Sequence, residues 1–292
     1  MRRIGFVLTP QFQMMSLAAG SVFEFANFVS GETLYTIEIL SEAGGPLPSS
    51  IGFPIETKKI GDLNYDTFIF GTGTGEDTDP PSPAIIDFAR IVAASARRVA
   101  SICTGAFILA EAGVLEGRRA TTHWLAASKL RKLYSGIKVE EDRIFIIDGS
   151  IWTSAGMSAG VDMALGMVEK DFGADLARSV AQRLVLYHRR AGGQSQHSAL
   201  LEIDAKSDRI QNALAYAKSH LRSALSVEEL AEAAHLSPRQ FSRAFRAETG
   251  QTPAKAVEHP RLEAARVMME QSRHPIDVVA EETGFADRER MR

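Results

Sequence analysis

Val99-Ala100-Ser101-Ile102-Cys103-Thr104-Gly105-Ala106 passes from a buried strand into a helix with no connecting loop. Arg98–Ile102 reads as a strand, and Thr104–Ala112 is apolar at helical spacing. A residue caught between two such elements sits on a sharp turn. The turn holds its side chain out over the carboxyl ends of the sheet strands, the geometry of a nucleophile elbow. Cys103 occupies it, and the helix N-terminus that follows is expected to lower the thiol pKa. His123, in Thr121-Thr122-His123-Trp124, is the candidate base. A lone Cys and a lone His are more often packing residues, so the pair needs support from elsewhere in the chain.

Outward from this turn, strand-like and helix-like stretches alternate, which argues for a parallel sheet with helices on its faces. Arg3–Leu8 reads as a strand, Leu17–Val29 as a helix, and Thr33–Leu40 as a strand broken by Gly44-Gly45-Pro46. Asp66–Phe70 leads into the loop Gly71-Thr72-Gly73-Thr74-Gly75, and Pro80–Pro83 opens a helix through Arg97. That glycine loop lacks both a P-loop lysine and dinucleotide-binding spacing, so a turn or oxyanion-type role suits it better than phosphate binding. Arg143–Ile147 and Ser150–Ser154 read as strands joined at Asp148-Gly149, and helices at Ser158–Lys170 and Asp175–His188 close the domain. Glycine and glutamine then replace the apolar periodicity. The expected division is a first domain over 1–188, a linker over 189–205 and a helical domain over 206–292.

A chain of 292 residues, 45% hydrophobic and 24% charged, suits two ordinary globular domains. No apolar run approaches the roughly 18 residues of a membrane span. The run after Met1-Arg2-Arg3 stops at Thr9-Pro10, too short for a signal peptide, and reads as the first strand. One cysteine excludes an intramolecular disulfide and fits a cytoplasmic protein. The net charge of -3 hides an asymmetry: from Lys206 onward there are 14 Lys+Arg against 13 Asp+Glu, so the back is slightly basic and the front acidic.

The back carries two matched helix starts. Ser226-Val227-Glu228-Glu229 is a capping box, and Ser237-Pro238-Arg239-Gln240 repeats it with proline at the first helical position. Two short helices across Ala234-His235-Leu236-Ser237 have helix-turn-helix spacing. Phe241 and Phe245 mark the buried face of the second helix, while Arg239, Ser242, Arg243 and Arg246 mark a face suited to DNA.

Ser226–Gly250 with Thr252-Pro253, Arg261–Arg266 and Ile276–Phe285 resembles the AraC-type DNA-binding domain, from Ile210 onward. The resemblance implies two helix-turn-helix units on a connecting helix, with Arg239, Ser242 and Arg243 at base-reading positions and double-stranded DNA as partner. Two departures follow. Only Asp287–Arg292 fall in the second recognition helix, so that unit is expected to be truncated. His259-Pro260 interrupts the connecting helix, where a kink or break is expected.

Ser101–Trp124 resembles the ThiJ/PfpI superfamily, over about Arg3 to Phe172. It implies a flavodoxin-like α/β fold of the class I glutamine amidotransferase type, a parallel sheet sandwiched by helices. The pairing with an AraC-type tail is similar to the GlxA subfamily of transcription regulators. Cys103, Thr104, His123, Trp124 and Gly73 would then line an effector site for a small nitrogenous metabolite, in a homodimer formed by the first domain. No cofactor or metal is expected. The alternative is a cysteine-dependent hydratase or hydrolase using Cys103 and His123. Against catalysis, Ser101 and Thr104 stand where enzymes of the superfamily commonly carry glycine and often histidine. The first helix also brings no carboxylate before Glu24.

Overall fold

The computed structural model describes residues 1–73, 80–186, 192, 196, 207–223, 225–271, 274–285 and 287–291. The chain divides into two compact units, Met1–Gly192 and Gly193–Arg292.

In the first unit β1 (Arg2–Leu8) is followed by a short 3-10 turn and α1 (Ala18–Ser30). β2 (Tyr35–Ser41), β3 (Gly45–Pro48), β4 (Pro54–Lys59) and β5 (Thr67–Gly71) precede α2 (Pro83–Ser95). β6 (Arg98–Ile102) runs through the 3-10 turn Cys103–Gly105 into α3 (Ala106–Glu111). β7 (Arg119–Ala120), α4 (Trp124–Leu133), β8 (Lys138–Val139), β9 (Phe145–Asp148) and β10 (Ile151–Ser154) follow. α5 (Ser158–Phe172) and α6 (Ala174–Arg183) complete the unit. The main sheet has eight strands in the order β3-β4-β2-β1-β5-β6-β10-β9, parallel except for its two edge pairings, β3 with β4 and β9 with β10.

Period-2 alternation feeds two apolar layers, one on each face of the sheet. Ile4, Phe6 and Leu8 of β1, with Ala100 and Ile102 of β6, join the layer containing α1 and α5. Val7, Phe68, Phe70 and Val99 join the layer containing α2 and α3. Strands buried on both faces therefore read as continuous apolar runs. Where the sequence suggests only a break at Gly44-Gly45-Pro46, the chain turns at Gly44 and Gly45, both at positive φ, and re-enters the sheet as β3. Two prolines are tolerated there because β3 is an edge strand.

The sheet's amino edge holds a charge network. Arg98 and Asp171 have buried side chains and meet at 2.8 Å. Arg97 bridges Asp171 and Asp66, Arg2 does likewise, and the Tyr35 hydroxyl donates to Asp171 at 2.9 Å. Burial, then the negative charge of Asp171, pushes the Tyr35 phenol up, so it stays a donor. Cys103 lies at the opposite, carboxyl end of β6.

The second unit is helical: α7 (Asp208–Ser219), α8 (Val227–Ala233), α9 (Pro238–Thr249), α10 (Pro253–Gln271) and α11 (Ile276–Glu282). It has two cores. Ile210, Ala213, Leu230, Phe241, Phe245 and Val257 belong to one, and Ala265, Val279, Ala280 and Phe285 to the other. The break expected at Pro260 does not occur: α10 runs helical through it, with Pro260 buried. One missing backbone donor is outweighed by the packing of the helix on both cores. The linker expected over 189–205 lies outside the described residues, apart from 192 and 196.

Candidate functional site

Cys103 sits at φ +56°, a strained conformation for a non-glycine residue, and is 3% exposed. Strand and helix directions force that angle, as expected of an elbow. The wall opposite is backbone: a β-carbon on Gly156 would come within 2.3 Å of Cys103 Cβ. Only glycine lets the loop after β10 close on the turn.

The thiol departs from expectation. Burial pushes the Cys103 thiol up, and hydrogen bonds from the Thr104 N–H and hydroxyl recover only part of the shift. Desolvation outweighs the helix start because the turn is enclosed and α3 is short. Cys103 is held as a neutral thiol.

Thr104 ties the elbow to the glycine loop. Its hydroxyl lies 2.7 Å from the Thr72 hydroxyl and 3.0 Å from the Gly73 carbonyl, which also accepts from Thr72 at 2.9 Å. Two hydroxyl hydrogens are shared among the Gly73 carbonyl, the neighbouring hydroxyl and the Cys103 sulfur. The remainder of the loop, Thr74 and Gly75, lies outside the described residues.

The next segment is fastened in the same way. The Thr122 hydroxyl donates to the Cys103 carbonyl at 2.9 Å, and the Thr121 N–H donates to the Thr153 hydroxyl at 2.9 Å. His123 follows as the N-cap of α4, its Nδ1 accepting from the Leu125 N–H at 3.4 Å. A ring used this way carries its neutral proton on Nε2. Trp124 is 46% exposed, so it is no core residue; Trp152 fills that role at 2%. At the start of the first helical segment Ser16 is buried, its side chain packed beside Gly71, whose register partner Ile102 precedes Cys103. Glu24 is exposed further along α1. The residue packed beside the carboxyl end of β5 is therefore a serine and not an acid.

In the second unit both capping boxes form as read: Ser226 with Glu229, and Ser237 with Gln240. Phe241 and Phe245 are buried. Arg239, Arg243 and Arg246 are exposed, Ser242 is half-buried, and none of the three arginines meets a carboxylate among the described residues. A helix with a fixed start and free guanidinium groups can place bidentate donors in a major groove.

A model of the DJ-1/PfpI family matches residues 21–170, and one of a helix-turn-helix domain matches 230–292. The HTH-type transcriptional regulator CdhR of Pseudomonas aeruginosa is 31% identical over 96% of this chain and 84% of its own length. The chain belongs to the GlxA-type transcription regulators. GlxA of Rhizobium meliloti is itself 29% identical over 98% of the chain and 89% of that protein. An isonitrile hydratase of Pseudomonas putida is 33% identical over 62% of the chain and 77% of the enzyme. The fold of the first unit is shared with a crystal structure of an AraC family transcriptional regulator from Pseudomonas putida. It has a TM-score of 0.58 and 22% identity, covering 63% of this chain and all of that one.

As a regulator of this type, the chain carries site residues that its sequence does not announce. Thr72 and Thr122 fasten the Cys103 turn, and only the sheet register brings them to it. α4 has a helical signal of its own, outside the alternation read above: Ala127 and Leu130 at i, i+3 with Arg131 and Lys132 in the last turn.

Proposed function

We propose that this regulator binds double-stranded DNA sequence-specifically and that a small molecule at the carboxyl edge of its sheet controls the binding. The observation that carries the reading is the α9 face. Arg239, Arg243 and Arg246 stand exposed and unpaired among the described residues, on a helix whose start is capped. Effector control is supported by the other unit. Ligands of such sheets bind outside the strands' carboxyl ends, and there the neutral Cys103 thiol and the hydroxyl of Ser16 suit recognition better than catalysis. Cys103, Thr104, Gly73, His123 and Trp124 are the proposed lining. Trp124, a half-exposed aromatic ring beside His123, suits a cationic nitrogen, hence a small nitrogenous metabolite. A cytoplasmic homodimer through the first unit would bring two readers to adjacent half-sites.

Thermal-shift titration with amino acids and quaternary amines tests this. A ligand is expected to raise the melting midpoint, to lose that effect in Trp124→Ala, and to change DNA affinity in the parent chain. A ligand that stabilises the protein yet leaves DNA affinity unchanged would contradict effector control.

The likeness to isonitrile hydratase and the strained Cys103 favour a second reading, a cysteine-dependent hydratase or hydrolase. Assaying formamide release from an isonitrile separates the two. The regulator reading expects no turnover; turnover that Cys103→Ala abolishes would favour the enzyme.

A further inference from the structure

The two cores of the second unit meet at one guanidinium. Arg261 of α10 donates from Nε to the Leu221 carbonyl at 2.9 Å and from an Nη to the Ser223 carbonyl. Both carbonyls belong to the turn after α7, where Leu221 packs on the first core. Gly284, in the turn after α11, presses on the same contact. A β-carbon there would lie 2.1 Å from the Leu221 oxygen and 2.8 Å from Arg261 Nε, and its φ is +83°. Its neighbour Phe285 belongs to the second core. Arg222 and Glu282 join the same two turns at 3.3 Å.

The connecting helix cannot fix this junction alone. Pro260, next to Arg261, has no N–H for the carbonyl one turn back, so α10 is weakest against bending where it passes between the cores. Burial pushes the Arg261 guanidinium down, and among the described residues it is met by carbonyl dipoles rather than by a carboxylate. A partly buried charge held by a two-pronged fork is costly, and what the fork supplies is geometry.

We propose that Arg261 is the positioning residue that sets the offset between the two helix-turn-helix halves. Its fork holds the 221–223 turn against the 282–284 turn, so that α9 stands at one fixed spacing from α11, the helix that precedes the second recognition segment. Lysine has a single point of donation and cannot span both carbonyls.

The test uses the full chain with the buried Cys103 left in place, spin labels on cysteines introduced at Ala247 in α9 and Glu281 in α11, and affinities measured on the unlabelled chain. Dipolar distances from the parent should give one narrow distribution. Arg261→Ala should broaden and shift it while helical content by circular dichroism stays intact, with Arg261→Lys intermediate. Gly284→Ala should shift it by forcing the turns apart. Affinity for duplexes that the parent selects from a random pool should fall about tenfold in Arg261→Ala and recover in part in Arg261→Lys. An unchanged distance distribution in a folded Arg261→Ala protein, or unchanged affinity, would overturn the proposal. Should Arg261→Ala lose its helical signal, the other two variants decide: the parent distribution in both would overturn it equally.

Discussion

Cys103 and Ser101 lie two residues apart on one strand-to-turn segment and carry opposite burdens. Cys103 is a thiol kept neutral by burial, so alkylation by iodoacetamide should be slow at neutral pH and accelerate only above the thiol's ordinary range. The linkage follows the same sign. A thiol pKa raised on folding contributes stability that is fully present below the unfolded-state pKa and is lost as pH rises through the folded one. Fast alkylation at neutral pH would contradict the enclosed turn. Ser101 carries a buried hydroxyl with no hydrogen-bond partner among the described residues. An unsatisfied buried hydroxyl costs about 1–3 kcal/mol, so Ser101→Ala should raise stability in urea unfolding by about 1 kcal/mol. A loss of stability would mean the hydroxyl is solvated within the fold.

At the scale of elements, helix starts were the most legible feature and loop-borne ties the least. Both capping boxes, and with them the starts of α8 and α9, follow from serine, proline and apolar spacing, because local chemistry alone decides them. Ser237→Ala removes an acceptor from the α9 start and should cost about 1 kcal/mol by thermal or urea unfolding; no measurable loss would mean that packing alone fixes that helix start. The Cys103 elbow was legible for the same local reason. Its ionisation was not, since burial depends on Gly156 arriving from more than fifty residues away. The role of His123 as a cap is equally hidden, because it depends on the helix that His123 opens. Pro260 marks the limit of a local rule: one lost hydrogen bond does not end a helix that packs on two cores.

Across the whole molecule, charge is sorted by place. The amino edge of the sheet buries an Arg98–Asp171 pair that also engages Arg2, Arg97 and Tyr35, joining β1, β2, β6 and α5. Asp171→Asn strands the buried Arg98 and should destabilise the first unit by about 3–5 kcal/mol in urea unfolding. A change below about 1 kcal/mol would mean that the network is dispensable. The α9 face instead leaves its guanidinium groups open among the described residues. The direct test is equilibrium binding by the full chain and by Arg243→Ala, to a duplex selected by the parent and to a random duplex at matched salt. Loss of one bidentate base contact predicts a cost of about 1–3 kcal/mol on the selected duplex and a much smaller one on random DNA. Equal losses on both would mean that Arg243 contacts phosphate alone, and that α9 does not read sequence.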